Sequence, residues 1–134
     1  MVFVDTNYFL RFLLKDNSSQ SQKAINLFQK ASLGQIKLNT SVIVVFEIYW
    51  VLKSFYKKNN QFTQNILSDI LKMEFIDFEN YEILKLAVSN LSYYNFDLED
   101  AYNCFYASRN KIKIFKTFDQ KLKNKFKLIK GEFN

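Results

Sequence analysis

The chain is constrained first by an alternation visible from its opening residues. Val2-Phe3-Val4 is a short apolar run that ends on a carboxylate, Asp5, and Thr6 and Asn7 then lead into a helix-like stretch over residues 8–14. The same order, a short apolar run followed by a helical period, recurs downstream. Strands alternating with helices argue for a parallel sheet with helices on its faces, and right-handed crossovers make that arrangement a three-layer α/β/α sandwich. In such a sheet, ligands bind just beyond the carboxyl ends of the strands. Asp5 stands at one of these ends, as a helix cap or as a ligand for something cationic.

Two glycines and no proline leave little punctuation, so boundaries come from periodicity. After a loop at residues 15–18, Ser19 caps a predicted helix over 20–33, which Gly34 ends. Residues 35–39 read as a strand. Thr40 or Ser41 caps an apolar helix over 42–55. Phe62, Ile66, Leu67, Ile70 and Leu71 mark another helix. Residues 74–77 read as a strand, and Asn80 caps a helix carrying Ile83, Leu84, Ala87, Val88 and Leu91. Residues 93–96 make a turn, and Asp97 caps a helix reaching about Asn110, with Glu99 and Asp100 in its first turn, where the dipole favours acids. Residues 113–117 alternate as a strand. A short helix over 120–125 and a last strand over 127–129 complete the pattern. No repeat or domain boundary interrupts residues 1–134, which read as one domain with a core of ordinary size.

Composition removes whole classes of chemistry. There is no histidine, and Cys104 is the only cysteine. A Ser-His-Asp triad, a histidine-ligated zinc, an intramolecular disulfide and a CxxC pair are therefore excluded. Any metal must be held by oxygen, which points to Mg²⁺ or Mn²⁺. The net charge of +6 suits a polyanionic partner. Its distribution is uneven: residues 74–100 hold seven acids and one base, whereas residues 111–130 hold eight lysines and one acid. Taken alone, a lysine-rich stretch reads first as a solvated surface. No signal peptide is visible and no apolar run reaches transmembrane length, so a soluble cytoplasmic protein without membrane association is expected.

Four carboxylates call for explanation. On a helix, the neighbours of Glu47 at three and four positions are Ile43, Val44, Trp50 and Val51, all apolar. A carboxylate on a buried stripe needs a partner, either a bound cation or a basic residue from another element. Asp119 follows the predicted strand 113–117 as Asp5 follows the first, which places both on one edge of the sheet; its alternative role is to cap the next helix. Asp100 shares a helical face with Cys104 and Ala107, small residues that allow close approach, and its alternative role is that of a dipole-favoured surface acid. Four converging carboxylates would repel one another and raise their pKa values. A divalent cation removes the conflict, lowers the pKa of bound water and clamps the oxygens of a phosphoryl displacement. With a basic surface nearby, a nucleic-acid backbone is the natural substrate.

The segments Phe3-Val4-Asp5-Thr6-Asn7, Ser41-Val42-Ile43-Val44-Val45-Phe46-Glu47, Asp97-Leu98-Glu99-Asp100-Ala101 and Lys116-Thr117-Phe118-Asp119, in this order and spacing, resemble the PIN-domain ribonucleases, and in particular the compact toxins of VapBC-type toxin–antitoxin pairs. The resemblance implies a parallel five-stranded α/β/α sandwich. It implies that Asp5, Glu47, Asp100 and Asp119 form an acidic Mg²⁺ or Mn²⁺ pocket supported by Thr6, Asn7 and Thr117, and that the reaction is metal-dependent hydrolysis of RNA. It further implies a homodimer and a small antitoxin that blocks the site. Asp97 competes with Asp100 as third ligand; the Asp-Ala pair at 100–101 matches the family pattern, which leaves Asp97 as a cap or outer group. Lysines and Arg11 could hold the RNA backbone, and Tyr102, Phe105 and Tyr106 are available for stacking on bases or for packing.

The competing expectation is a catalytically silent RNA-binding or protein-interaction module on the same fold. A phosphoryl-transfer domain fits less well. A haloacid-dehalogenase-like phosphatase would usually show a second Asp at position 7, which is Asn. A phosphoacceptor receiver would usually pair acids after its first strand, and none pairs with Asp5.

Overall fold

The computed structural model describes residues 1–133. In chain order the elements are β1 (Val2–Phe3), α1 (Thr6–Leu14), α2 (Ser18–Ser32), β2 (Leu38–Thr40), α3 (Val42–Trp50), α4 (Asn60–Leu71), β3 (Ile76–Phe78), α5 (Tyr81–Ser89), α6 (Leu91–Tyr94), α7 (Leu98–Arg109) and α8 (Gln120–Phe133). A π-helical turn, Val51–Phe55, extends α3. The fold is α/β and mostly helical, around a parallel sheet of order β1-β2-β3. Val2 pairs with Leu38, and Leu38 in turn with Ile76. Each parallel pairing requires a helical crossover, here α1 and α2 before β2, and α3 and α4 before β3.

Local chemistry sets most boundaries. The Asn17 side chain, rather than Ser19, caps α2 by accepting from the Gln20 amide at 3.1 Å. Gly34 takes φ 78, a left-handed turn that glycine enters without steric penalty, and its amide closes back on Ala31 O. Ser41 caps α3 through the Val44 amide. The Thr40 hydroxyl instead donates to Val4 O at 2.8 Å, tying β2 to the end of β1. Glu79, just past β3, accepts from the Val42 amide at 2.9 Å. The carboxyl ends of the three strands and the N-terminus of α3 are thereby fastened together. Beneath them, Leu38, Ile48, Leu84, Leu98 and Phe105 are fully buried in the core.

Two of the five expected strands are absent among the described residues. Residues 112–117 run without ladder bonds: Ile114 is 70% exposed, Ile112 is also exposed, and Phe115 turns inward, against Phe126. Residues 127–129 are helical. Leu122, Phe126 and Ile129 are all buried along α8, a spacing of four and three that defines one helical face. A period of two read over residues 127–129 alone missed this longer period. Residues 91–94, expected in part as a turn, form the short α6.

Candidate active site

The first segment to place is the end of β1. Asp5 occupies the N-cap position of α1 in extended conformation, yet its side chain makes no capping bond and is exposed. Thr6, next to it, is buried, and its hydroxyl finds no partner among the described residues. Asn7 lines a recess of about 240 Å³ with Tyr8, Arg11, Gln20 and Lys23. There Arg11 is held by Asp16 at 2.6 Å and Gln20 at 2.7 Å.

Glu47 differs from the expectation. α3 buries Val42, Val44, Val45, Ile48 and Tyr49, while Ile43, Glu47 and Trp50 share the opposite, exposed face. The carboxylate is therefore not on a buried stripe, and among the described residues it makes no ion pair. Counting only neighbours at three and four positions hid this, because Ile43 and Trp50 are apolar but exposed. An exposed Glu47 is free to meet a ligand that arrives from solvent.

Asp100 and Asp119 do come together. With Asp97 they line a recess of about 230 Å³ that also receives Lys53, Lys121 and Lys125. Asp5 and Glu47 do not line it. Asp100 enters from the first turn of α7 and is half-buried. Burial, and then the charges of Asp97 and Asp119, raise its pKa above the usual carboxylate value, with Lys125 pulling the other way. Asp119 does not end a sheet strand; it caps α8 through the Leu122 amide at 3.1 Å. Thr117 supports it, its hydroxyl oxygen accepting from the Asp119 amide at 3.1 Å. Only one Asp119 oxygen is engaged in the cap, so capping leaves the other free to act in the recess.

Asp97 stands at the N-cap of α7 but makes no side-chain cap. It accepts instead from the Tyr49 hydroxyl at 3.2 Å. Burial, and then the neighbouring acids, push the Tyr49 phenol far above its ordinary value, so it remains a donor. Trp50 donates to Glu99 on the same helix. The N-terminus of α7 is thus suspended from α3 by two aromatic side chains. Lys53 donates to Asn60 at 2.9 Å, and Lys125 donates to Asn95 O at 2.8 Å. Tyr49, Lys53, Asn60 and Lys125 escaped the sequence reading. Lys53, four positions beyond Tyr49 on a helix whose other charged residue is Glu47, was the available signal.

The donor set suits a hard divalent cation, since every candidate ligand is a carboxylate oxygen. Among the described residues, however, no three acidic side chains form a ready-made cage. Of the aromatics considered for stacking, Phe105 is fully buried in the core, and Tyr102 packs on Phe46.

Carboxylates from the starts of α7 and α8 thus share one recess with three lysines on an α/β fold. Residues 2–127 match the PIN domain family model, and the chain belongs to that family. PIN domains are generally nucleases, and often metal-dependent ribonucleases. No curated protein and no solved structure matched the chain. No helix among the described residues is long and apolar enough to cross a membrane.

Proposed function

We propose that the chain is a Mg²⁺- or Mn²⁺-dependent endoribonuclease that hydrolyses RNA phosphodiester bonds, and that it serves as the toxin of a toxin–antitoxin pair. The observation that carries the reading is the recess where Asp100 and Asp119 meet between Lys53, Lys121 and Lys125. Asp5, Glu47, Asp100 and Asp119 would hold the metal, which when bound supplies an activated water and neutralises phosphate charge. The three lysines attract and orient the backbone phosphates. Thr117 fixes the Asp119 backbone, and Tyr49 fixes Asp97, an outer acid that raises the proton affinity of Asp100. Thr6 and Asn7 support Asp5, and Arg11 with Lys23 extends the cationic surface on that side. The toxin role brings with it a small antitoxin and a homodimer, in the cytoplasm.

The test is cleavage of RNA by purified protein with Mg²⁺ or Mn²⁺. Asp5→Asn and Asp100→Asn should each abolish cutting while the circular-dichroism spectrum is unchanged; equal cleavage by both variants would refute the site. The toxin role is tested by co-expression. A small adjacent reading frame should bind the protein and relieve growth arrest, and failure to do either would remove that part of the proposal.

One observation favours a second reading, a silent RNA-binding or interaction module: the absence of three clustered acids among the described residues. That reading expects no thermal stabilisation by Mn²⁺ and no metal-dependent cutting.

A further inference from the structure

The π-helical turn after α3 opens onto a surface that the acidic recess does not use. From Ile48 to Ser68 the sequence contains three lysines and no acid. Within that stretch Phe55 is 80% exposed and Phe62 is 42% exposed. Lys58 lies over the Phe62 ring, its ammonium 4.8 Å from the centroid, and the Phe55 and Tyr56 rings stand 5.6 Å apart. Two large exposed aromatics on a lysine-bearing segment that contributes no acid of its own, and whose one neighbouring carboxylate, Asp16, is engaged by Arg11 and Tyr56, match what single-stranded nucleic acid requires: π-faces for bases and cations for phosphates.

The surface is anchored at its base. Tyr56 donates to Asp16 at 3.1 Å, and Asp16 in turn holds Arg11, so the base of the turn is tied to α1. Lys53, on the same π turn as Phe55, faces the recess that contains Asp100 and Asp119. Phe55, two positions on, points away from Lys53 around the turn, so one turn serves both the recess and the aromatic surface. π-helical turns inside longer helices are commonly found at functional positions, and here the turn connects the two surfaces.

We propose that Phe55 and Phe62, with Lys57 and Lys58, form a stacking platform for single-stranded RNA outside the acidic recess. The proposal rests on the ribonuclease reading for its choice of ligand. A second copy of the chain is a poorer occupant, because like-charged lysines would face one another. A duplex is poorer too, because its bases are already stacked on each other.

The experiment measures binding separately from cleavage. A short unstructured fluorescein-labelled oligoribonucleotide and a hairpin duplex are titrated with full-length protein in EDTA, and binding is read by fluorescence anisotropy. Phe55→Ala and Phe62→Ala should each weaken single-strand binding about tenfold. Phe55→Tyr should bind as the native protein does, and thermal midpoints should hold. Lys57→Gln with Lys58→Gln should lower the slope of log affinity against log salt by about 0.7 per lysine. Native affinity in both alanine variants, or a hairpin bound as tightly as the single strand, would overturn the platform. Platform-dependent binding without metal-dependent cutting would leave the platform standing and remove the ribonuclease; cutting with unchanged binding in the alanine variants would do the reverse.

Discussion

The bond from Tyr49 to Asp97 makes the most direct prediction, because it joins the core to the site. Tyr49→Phe removes one hydroxyl and leaves the ring, fully buried and packed edge-on to Trp50 at 5.2 Å, in place. No cavity is expected, so the loss is that of a hydrogen bond to a carboxylate, roughly 1.5–3 kcal/mol when fully shielded. Asp97 is exposed and can take a water in exchange, which puts the expected loss at about 1–2 kcal/mol. For a chain of this size that is a fall in melting temperature of about 3–8 °C. Because the folded phenol titrates far above its unfolded value, its contribution is present below the unfolded pKa and is lost as pH rises beyond it. The difference between native and variant should therefore be flat across neutral pH and shrink above about pH 10. Urea denaturation of the native protein, Tyr49→Phe, Asp97→Ala and the double variant completes a cycle. Contact predicts a coupling of about 1 kcal/mol. An unchanged Tyr49→Phe, or an equal loss when Asp97 is already alanine, would refute the view that this bond suspends α7 from α3.

Asp119 has two roles to separate: Asn keeps a helix cap but Ala does not, so Asp119→Ala should cost about 1 kcal/mol and Asp119→Asn far less, while both should lose RNA cleavage; an Asn variant that cuts normally would reduce Asp119 to a cap. Asp100→Asn should make the metal-free protein more stable at neutral pH, since the raised carboxyl contributes stability below its unfolded value near 3.8 and loses it as pH rises through the folded value. Denaturation curves of native and variant should converge toward acid, and equal stability at neutral pH would show that the crowding of charge is not felt. Cys104 is buried, and burial, then the Asp100 charge, pushes its thiol up to about 12. It should resist iodoacetamide in the native protein near neutral pH and react once denatured; labelling of the folded state, read by intact mass, would contradict that placement.

The alternation of short apolar runs and helical periods was enough to read the parallel sheet, most helices and the order of the acids. Contact across the fold was harder to read. Glu47 looked buried because its helical neighbours are apolar, yet Ile43 and Trp50 lie with it on the open face. Nothing in a single helix says which apolar residues the rest of the molecule will cover. The stretch 113–117 has the alternation of a strand, but alternation does not supply a partner edge, and Ile114 is left in solvent. Residues 127–129 were too few to reveal their period until Leu122 was counted with them. Asp97 was read as a cap because it precedes a helix. Its actual partner, Tyr49, lies 48 positions away, and no local pattern encodes such a pairing. Lys125 came into the site for a similar reason, as one of many lysines on a helix whose buried face alone decides which of them turns inward.

The register Val2↔Leu38 also affects synthesis. β1 carries Asp5 at its end, but it can find its partner only after two helices and β2 have left the ribosome. At the usual elongation rates of about 5–20 residues per second, that leaves the strand unpaired for on the order of seconds. The sheet that β1 joins, and with it the placement of the Asp5 backbone relative to β2, must therefore assemble late. A nascent chain of this kind would have its first two helices before it had a sheet, and the recess of Asp100 and Asp119 would come last of all, with α7 and α8.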